Sequence, residues 1–398
     1  MANQNQVRML IQNLKHDKLR LPGTQDVASN IRTLKELKET LYSHARKLTG
    51  TEYTARIPLE SRKKEQSLLK VVVPLASDST ARLSLTDSQN NIRYGKLLQW
   101  IDTIASCSAL MLNRQNLSTH HFDIGTIPRL FATDRVHQTD FTNGQKYSPF
   151  EDILLESKVS WTSATQTEVT IEVKQKDEDL LVTRLVLSSF NPHDTTKTEP
   201  SNQLEVAGAY QTFLHLKREK INTSPSLDPP ASHLKLPTPN DGAVPMSSTC
   251  IQQTVTTELD ESPYGFVSGG FLIRNAIETS ASCGKLFSGA NCHASSIVEA
   301  EIQKLIPLGA VLKFSSFIAS VNNSQTIRTM LIATNVEHYN FESKMFENIG
   351  NFLFTFQSRG ENEHQLKEVF PQSIEEFLYH YKAQNVGKKQ KTITTSCY

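Results

Sequence analysis

One ten-residue phrase is written twice along this chain. It reads Ile101-Asp102-Thr103-Ile104-Ala105-Ser106-Cys107-Ser108-Ala109-Leu110 first and Ile277-Glu278-Thr279-Ser280-Ala281-Ser282-Cys283-Gly284-Lys285-Leu286 second. Ile, Thr, Ala, Ser, Cys and Leu match at a constant offset of 176 residues, and Asp102 aligns with Glu278. A true repeat restricts the fold to two copies of one supersecondary unit, each with an acid on the same element. A match this short is weak alone, so the flanking segments decide its meaning.

Those segments repeat in the same order. Ser67–Ala76 is an apolar, β-branched run read as a buried strand, followed by the turn-rich Asp87-Ser88-Gln89-Asn90-Asn91. A helix is predicted from Gly95 to Asn113, apolar at Leu97, Leu98, Ile101, Ile104, Ala105 and Ala109. Strands are predicted over 121–133, Ile153–Trp161, Glu168–Val173 and Leu180–Phe190. The series then restarts with a strand at Ser247–Thr257, a turn-rich piece, and a helix opened by Gly269-Gly270. Strands follow at Ser296–Leu305, Ala310–Val321, Thr326–Asn335 and Asn351–Gln357. One long helix and a strongly curved antiparallel sheet form the hotdog arrangement, with the sheet wrapped round the helix. The expected fold is therefore α+β: two tandem hotdog domains in a pseudo-dimer whose edge strands join into one continuous sheet.

Bulk composition agrees. A chain of 398 residues fits two domains of roughly 150 residues plus connections. With 42 basic and 41 acidic residues, no net field favours nucleic acid or membrane phosphates. The five cysteines (Cys107, Cys250, Cys283, Cys292, Cys397) show no metal-ligand spacing, so neither metal nor disulfide framework is expected, and a reduced intracellular compartment fits. No run of about eighteen apolar residues predicts a membrane span.

The expected division is a lead-in at 1–65, helix-prone from Thr24 through Lys47; a first copy at 66–195; a linker at 196–245; a second copy at 246–362; and a polar extension at 363–398. The linker is read as a short helix, about Leu204 to Lys220, then a Pro/Ser-rich stretch whose prolines cannot donate ladder bonds. In the first twenty residues, Val7, Leu10, Ile11 and Leu14 share a helical face ringed by Arg8, Lys15, Lys18 and Arg20. That composition fits a mitochondrial targeting helix. Asp17 fits an ordinary surface helix instead, and both readings stay open.

Three features carry candidate chemistry. Gly95, Gly269 and Gly270 sit at helix starts, where a carbonyl oxygen could approach free N–H groups at the positive end of the helix dipole. The alternative is that they only permit close packing. Asp102 and Glu278 lie about two turns into largely apolar helices, as a general base or nucleophile would, or as surface acids would. Asn90 precedes the first helix and could orient water or simply form a turn. Ser268 lacks the G-x-S-x-G context of a serine hydrolase, and Gly284-Lys285 lacks the rest of a phosphate loop. Cys107 and Cys283 read as small buried residues. His293 and the His120-His121 pair have no repeated partners and read as structural or exposed.

The stretches QNNIRYGKLLQWID and YGFVSGGFLIRNAIE, with VFPQS at Val369–Ser373, resemble the acyl-coenzyme A thioesterases with two hotdog domains, best in the mitochondrial acyl-CoA thioesterase 9-like branch. The likeness covers about residues 66–195 and 246–362. It implies hydrolysis of fatty acyl-CoA to free acid and CoA, with no cofactor, a mitochondrial location (a cytoplasmic one being the alternative), and trimers of double-hotdog units. It also implies composite sites, with Asn90 and Gly95 facing Glu278 and Gly270 facing Asp102. The family pattern has Asn where this chain reads Gly265-Phe266-Val267-Ser268, so the Asp102 site would be weak or silent. The glycines align at an offset of 175 (95 against 270) and the acids at 176, a one-residue slip. Rival readings are a non-catalytic acyl-CoA-binding sensor, and a hydratase, which would want a His beside the helix acid.

Overall fold

The computed structural model describes residues 31–34, 36, 37, 39, 60–87, 90–113, 129–141, 147–176, 178–191, 198–204, 215, 236, 238–257, 265–323, 328–358 and 365–395. The targeting-helix question, the His120-His121 pair, Cys397 and most of the Pro/Ser-rich stretch lie outside them. Two compact units emerge: one from residues 1–134, 142–213 and 259–270, the other from 135–141, 214–258 and 271–398.

In the first unit, β1 (Ile31–Thr33) runs parallel to β2 (Leu69–Val73), pairing Ile31 with Lys70. This corrects the helix expected through Thr24–Lys47, whose described part turns helical only at Leu34. The short helix α1 (Ser79–Leu85), absent from the sequence reading, is nucleated by Asp78, whose Oδ1 accepts the N–H groups of Thr80 and Ala81 at 2.9 and 3.1 Å. Then come α2 (Tyr94–Leu112) and β3 (Leu130–Val136), of which Leu130–Asp134 belong to this unit. β4 (Ile153–Thr162), β5 (Gln166–Gln175) and β6 (Glu178–Phe190) complete a sheet ordered β1-β2-β4-β5-β6-β3. Antiparallel register pairs Val71 with Leu155 and Val159 with Val169, and a bulge between Val159 and Trp161 bends β4.

Helix α2 lies on β2, β4, β5 and β6. Fourteen of its nineteen residues are buried, on every side of the helix, as an element wrapped by a curved sheet must be. Its last carbonyls are closed by side chains: Asn113 Nδ2 donates to Ala109 O at 2.8 Å, and Asn202 Nδ2 to Leu112 O at 3.2 Å.

The second unit contains β7 (Ile251–Thr256), α3 (Gly269–Ser288; from Phe271 onward in this unit), β8 (Cys292–Ile302), β9 (Val311–Asn323), β10 (Arg328–Asn340) and β11 (Met345–Ser358). Its sheet order is β7-β9-β10-β11-β8. The first unit reads β2-β4-β5-β6-β3, the same permutation of the same succession of elements. Both units are hotdog folds, and the chain is one fold written twice.

The inner face of the second sheet is set by Thr334 and alternate neighbours. Thr334 Oγ1 meets Ser280 Oγ of α3 at 2.6 Å, and Phe352, Phe354 and Phe356 share that side in full burial. Because side chains alternate, Ala333 and Asn335 point to the opposite face. There α4 (Ile374–Thr395) docks, a helix where sequence suggested a polar extension. Tyr379 Oη lies 2.6 Å from Asn335 Oδ1 and 3.1 Å from Asn351 Oδ1, and Lys382 pairs with Glu299. Ser373 Oγ accepts the Glu376 N–H at 3.1 Å, and Glu376 reaches back to the Gln372 N–H, so the start signal of α4 is legible as S-x-x-E. Of the helix expected over Leu204–Lys220, Leu204 ends a two-residue strand and His215 is helical; the rest lies outside the described residues. Among the described residues no helix is long and apolar enough to cross a membrane.

Candidate active site

Among the described residues Asp102 stands out as an acid almost wholly buried, at 4% exposure. α2 carries it into an apolar interior because the flanking Ile101, Ile104 and Ala105 must be buried for the helix to sit in its sheet. Two donors meet it there. Thr133 on β3 donates its hydroxyl to Oδ1 at 2.5 Å, and the backbone N–H of Gly270, in the first turn of α3, donates as well. Burial pushes the Asp102 carboxyl up from the usual range, and the two hydrogen bonds pull the other way.

Gly270 comes so near α2 that no other residue fits. A Cβ there would lie 2.8 Å from Asp102 Cβ and 2.8 Å from Gln99 Cα. Both reasons for a glycine hold at once at this position: the backbones approach closely, and the N–H is thereby delivered to a carboxylate. The expected pairing of Asp102 with Gly270 is thus a contact in the structure, all within the first unit. Thr133 was missed from sequence, where it stands in an undistinguished strand beyond a long gap after α2.

Asn90 occupies an exposed turn at φ 61°, its N–H donating to Asp87 O at 3.1 Å, and the turn is tied by Asp87 Oδ1 accepting the Asn91 N–H at 2.8 Å. Asn tolerates left-handed backbone, so the turn explains the residue type without invoking chemistry. Gly95 is buried in the first turn of α2, and Gly269 is buried as the opening residue of α3. Gly265 adopts φ 79°, with open space where a Cβ would stand.

Glu278 differs from its counterpart. Its side chain is 36% exposed, and Arg274 Nε lies 3.4 Å from Oε1, one turn earlier on α3. The one-residue slip explains the difference. α2 begins at Tyr94 and α3 at Gly269, so Glu278 stands one step later in its helix than Asp102 does. One step rotates a side chain by roughly 100°, and Ile277, 4% exposed, takes the inward place instead.

The recurring cysteines are inert in this setting. Burial first, and the neighbouring Asp102 charge second, push the Cys107 thiol well above its usual range. Burial pushes Cys283 up to about 12, with Cys250 and Cys292 adding to the effect. Both match the reading as small core residues. His293 is exposed, and Ser268 is half-buried.

No family model matches the chain. Acyl-coenzyme A thioesterase 9, mitochondrial, of Mus musculus is 22% identical over 369 residues, covering 85% of this chain and 81% of that protein. Acyl-coenzyme A thioesterase 10, mitochondrial, of the same organism matches at 22% over 369 residues with the same coverage. Among solved structures, an acyl-CoA hydrolase from Staphylococcus aureus in complex with butyryl coenzyme A, coenzyme A and coenzyme A disulfide aligns at a TM-score of 0.34 and 16% identity, covering 39% of this chain and 94% of its own. Along most of its length, therefore, the chain is similar to two mitochondrial acyl-coenzyme A thioesterases.

Proposed function

We propose that this protein hydrolyses fatty acyl-CoA thioesters to free fatty acid and coenzyme A. The observation that carries the reading is the recurrence of an acid about two turns into a glycine-opened helix, Asp102 on α2 and Glu278 on α3, a carboxylate and a helix N-terminus being the two groups thioester hydrolysis needs. A first-turn amide polarises the thioester carbonyl and stabilises its oxyanion. A carboxylate takes a proton from water as the water oxygen bonds to the carbonyl carbon. Collapse of the tetrahedral intermediate breaks the carbon–sulfur bond. The leaving thiol has an ordinary pKa of about 8.5, so it departs as thiolate with little acid assistance.

Glu278 is assigned as the working base, because it is half-exposed and free of the deep burial that holds Asp102. Asn90 is assigned to orienting water, and the first-turn amides of Gly95 and Gly269 to holding the carbonyl, the Gly270 N–H being committed to Asp102. Asp102, already engaged by Thr133 and Gly270, is assigned to the weaker or silent site. The protein is proposed to work in mitochondria, as the names of its relatives suggest, and to assemble as a trimer of double-hotdog units, which light scattering on the purified protein would check.

The deciding experiment incubates purified protein with acyl-CoAs of graded chain length and a thiol reagent. Release of CoA supports the reading. Binding without release makes the protein an acyl-CoA sensor and overturns it.

A further inference from the structure

The corresponding hairpins of the two units differ in both length and chemistry: Gln175 pairs with Glu178 in one, Asn340 with Met345 in the other. β5 passes to β6 through Lys176 at φ 50°, and β10 passes to β11 through Lys344 at φ 56°. The first turn is charged: Lys176 pairs with Glu151, and Glu178 and Asp179 follow. The second presents Phe341 and Met345, each 66% exposed.

The apolar tip is also braced. Asn340 Oδ1 accepts the N–H groups of Glu342 at 2.8 Å and Ser343 at 3.2 Å, while Nδ2 donates to Glu347 at 2.7 Å. Phe341 and Phe346 meet Tyr339 edge-on at 5.1 and 5.2 Å, and Lys313 Nζ lies 4.4 Å from the Phe346 ring. Lys313 pairs with Glu337 at 2.6 Å and Lys304 with Glu347 at 3.3 Å, and on the turn Glu342 balances Lys344. The tip is held by hydrogen bonds and ring contacts and carries no net charge.

We propose that the β10–β11 tip inserts into the interfacial layer of a lipid bilayer, with Phe341 and Met345 entering it and Tyr339 at headgroup level. Area distinguishes this from a protein partner. Two side chains two-thirds exposed offer on the order of 250 Å², far below the roughly 800 Å² per partner of a stable protein interface. Interfacial anchoring asks only that a small apolar element reach about 5–10 Å into the headgroup boundary. With its charges balanced, the tip gains nothing from anionic lipid, so binding is indifferent to salt. The inference stands apart from the hydrolase reading.

The test is co-sedimentation of the full chain with phosphatidylcholine vesicles at low and high salt. The protein partitions onto vesicles at both, and the double variant Phe341→Ser, Met345→Ser lowers the partition coefficient by at least about tenfold while Tm and oligomeric mass stay unchanged. Phe341→Trp shifts tryptophan emission to the blue when vesicles are added. Failure of the unsubstituted chain to bind, equal binding by the double variant, or binding that requires anionic lipid and vanishes with salt would each overturn the proposal. A change of oligomeric mass in the double variant would also overturn it, in favour of a second copy of the chain as occupant.

Discussion

Thr133 donates its hydroxyl to the Asp102 carboxylate at 2.5 Å in the interior of the first unit. The two residues stand 31 positions apart in sequence, and the hydroxyl is one of two donors, with the Gly270 N–H, that offset the burial of the carboxyl. Thr133→Val removes the donor and keeps the shape, so it should cost about 1–3 kcal/mol in denaturant unfolding. Thr133→Ser should recover most of that loss. Equal destabilisation by Val and Ser would mean that the methyl packing matters rather than the hydrogen bond.

Asp102 sets a pH signature. Its folded-state carboxyl lies above the ordinary range, chiefly through burial, so the folded state prefers the protonated form. The stability this confers is complete below the unfolded value near 3.9 and is lost as pH rises through the folded value. Asp102→Asn has no charge to bury. It should therefore raise Tm by roughly 2–4 °C near neutral pH, and the gain should vanish near pH 4. A difference in Tm that stays constant across this range would refute the assignment.

Gly270→Ala should cost about 1–3 kcal/mol. The added methyl meets Gln99 backbone and Asp102 Cβ at 2.8 Å, neither of which is a flexible tip that can swing away. Thermal unfolding measures it, and an unchanged Tm would show that the α3 start can shift freely.

On catalysis, Glu278→Gln should lower kcat by about 10²–10⁴-fold, whereas Asp102→Asn should lower it by less than about tenfold. CoA release from the purified variants decides this. Equal losses would end the asymmetry between the two acids.

Lys382 holds α4 to its sheet through Glu299, whose carboxyl is raised by burial and lowered by the Lys382 charge. Lys382→Ala should destabilise the protein by on the order of 2 kcal/mol, less than for a fully buried pair because Lys382 is partly exposed. Adding Glu299→Gln should return most of it. Lack of such recovery in chemical denaturation would show that Lys382 acts by packing alone.

Hydrophobic periodicity and glycine punctuation sufficed to read the long helices α2 and α3 and most of the strands, together with the order in which they recur. These are local properties: a 3.6-residue or two-residue repeat is encoded in neighbouring side chains and survives in any context that offers a core. The expectation that Asp102 meets Gly270 came instead from the family resemblance, carried over by position. Other features depended on packing across the chain. Thr133 reaches Asp102 only because β3 closes the sheet beside α2. The single-residue slip was visible in sequence, but its consequence, one acid buried and the other half-exposed, appeared only once both helices were seated. α4 had a capping signal in Ser373 and Glu376, yet its place on the outer face was decided by Asn335, Asn351 and Glu299, residues far away along the chain. A sequence specifies its own periods; which side chains then share a crevice is settled by sheet register and helix rotation, where one residue's step of about 100° is enough to change an acid's surroundings.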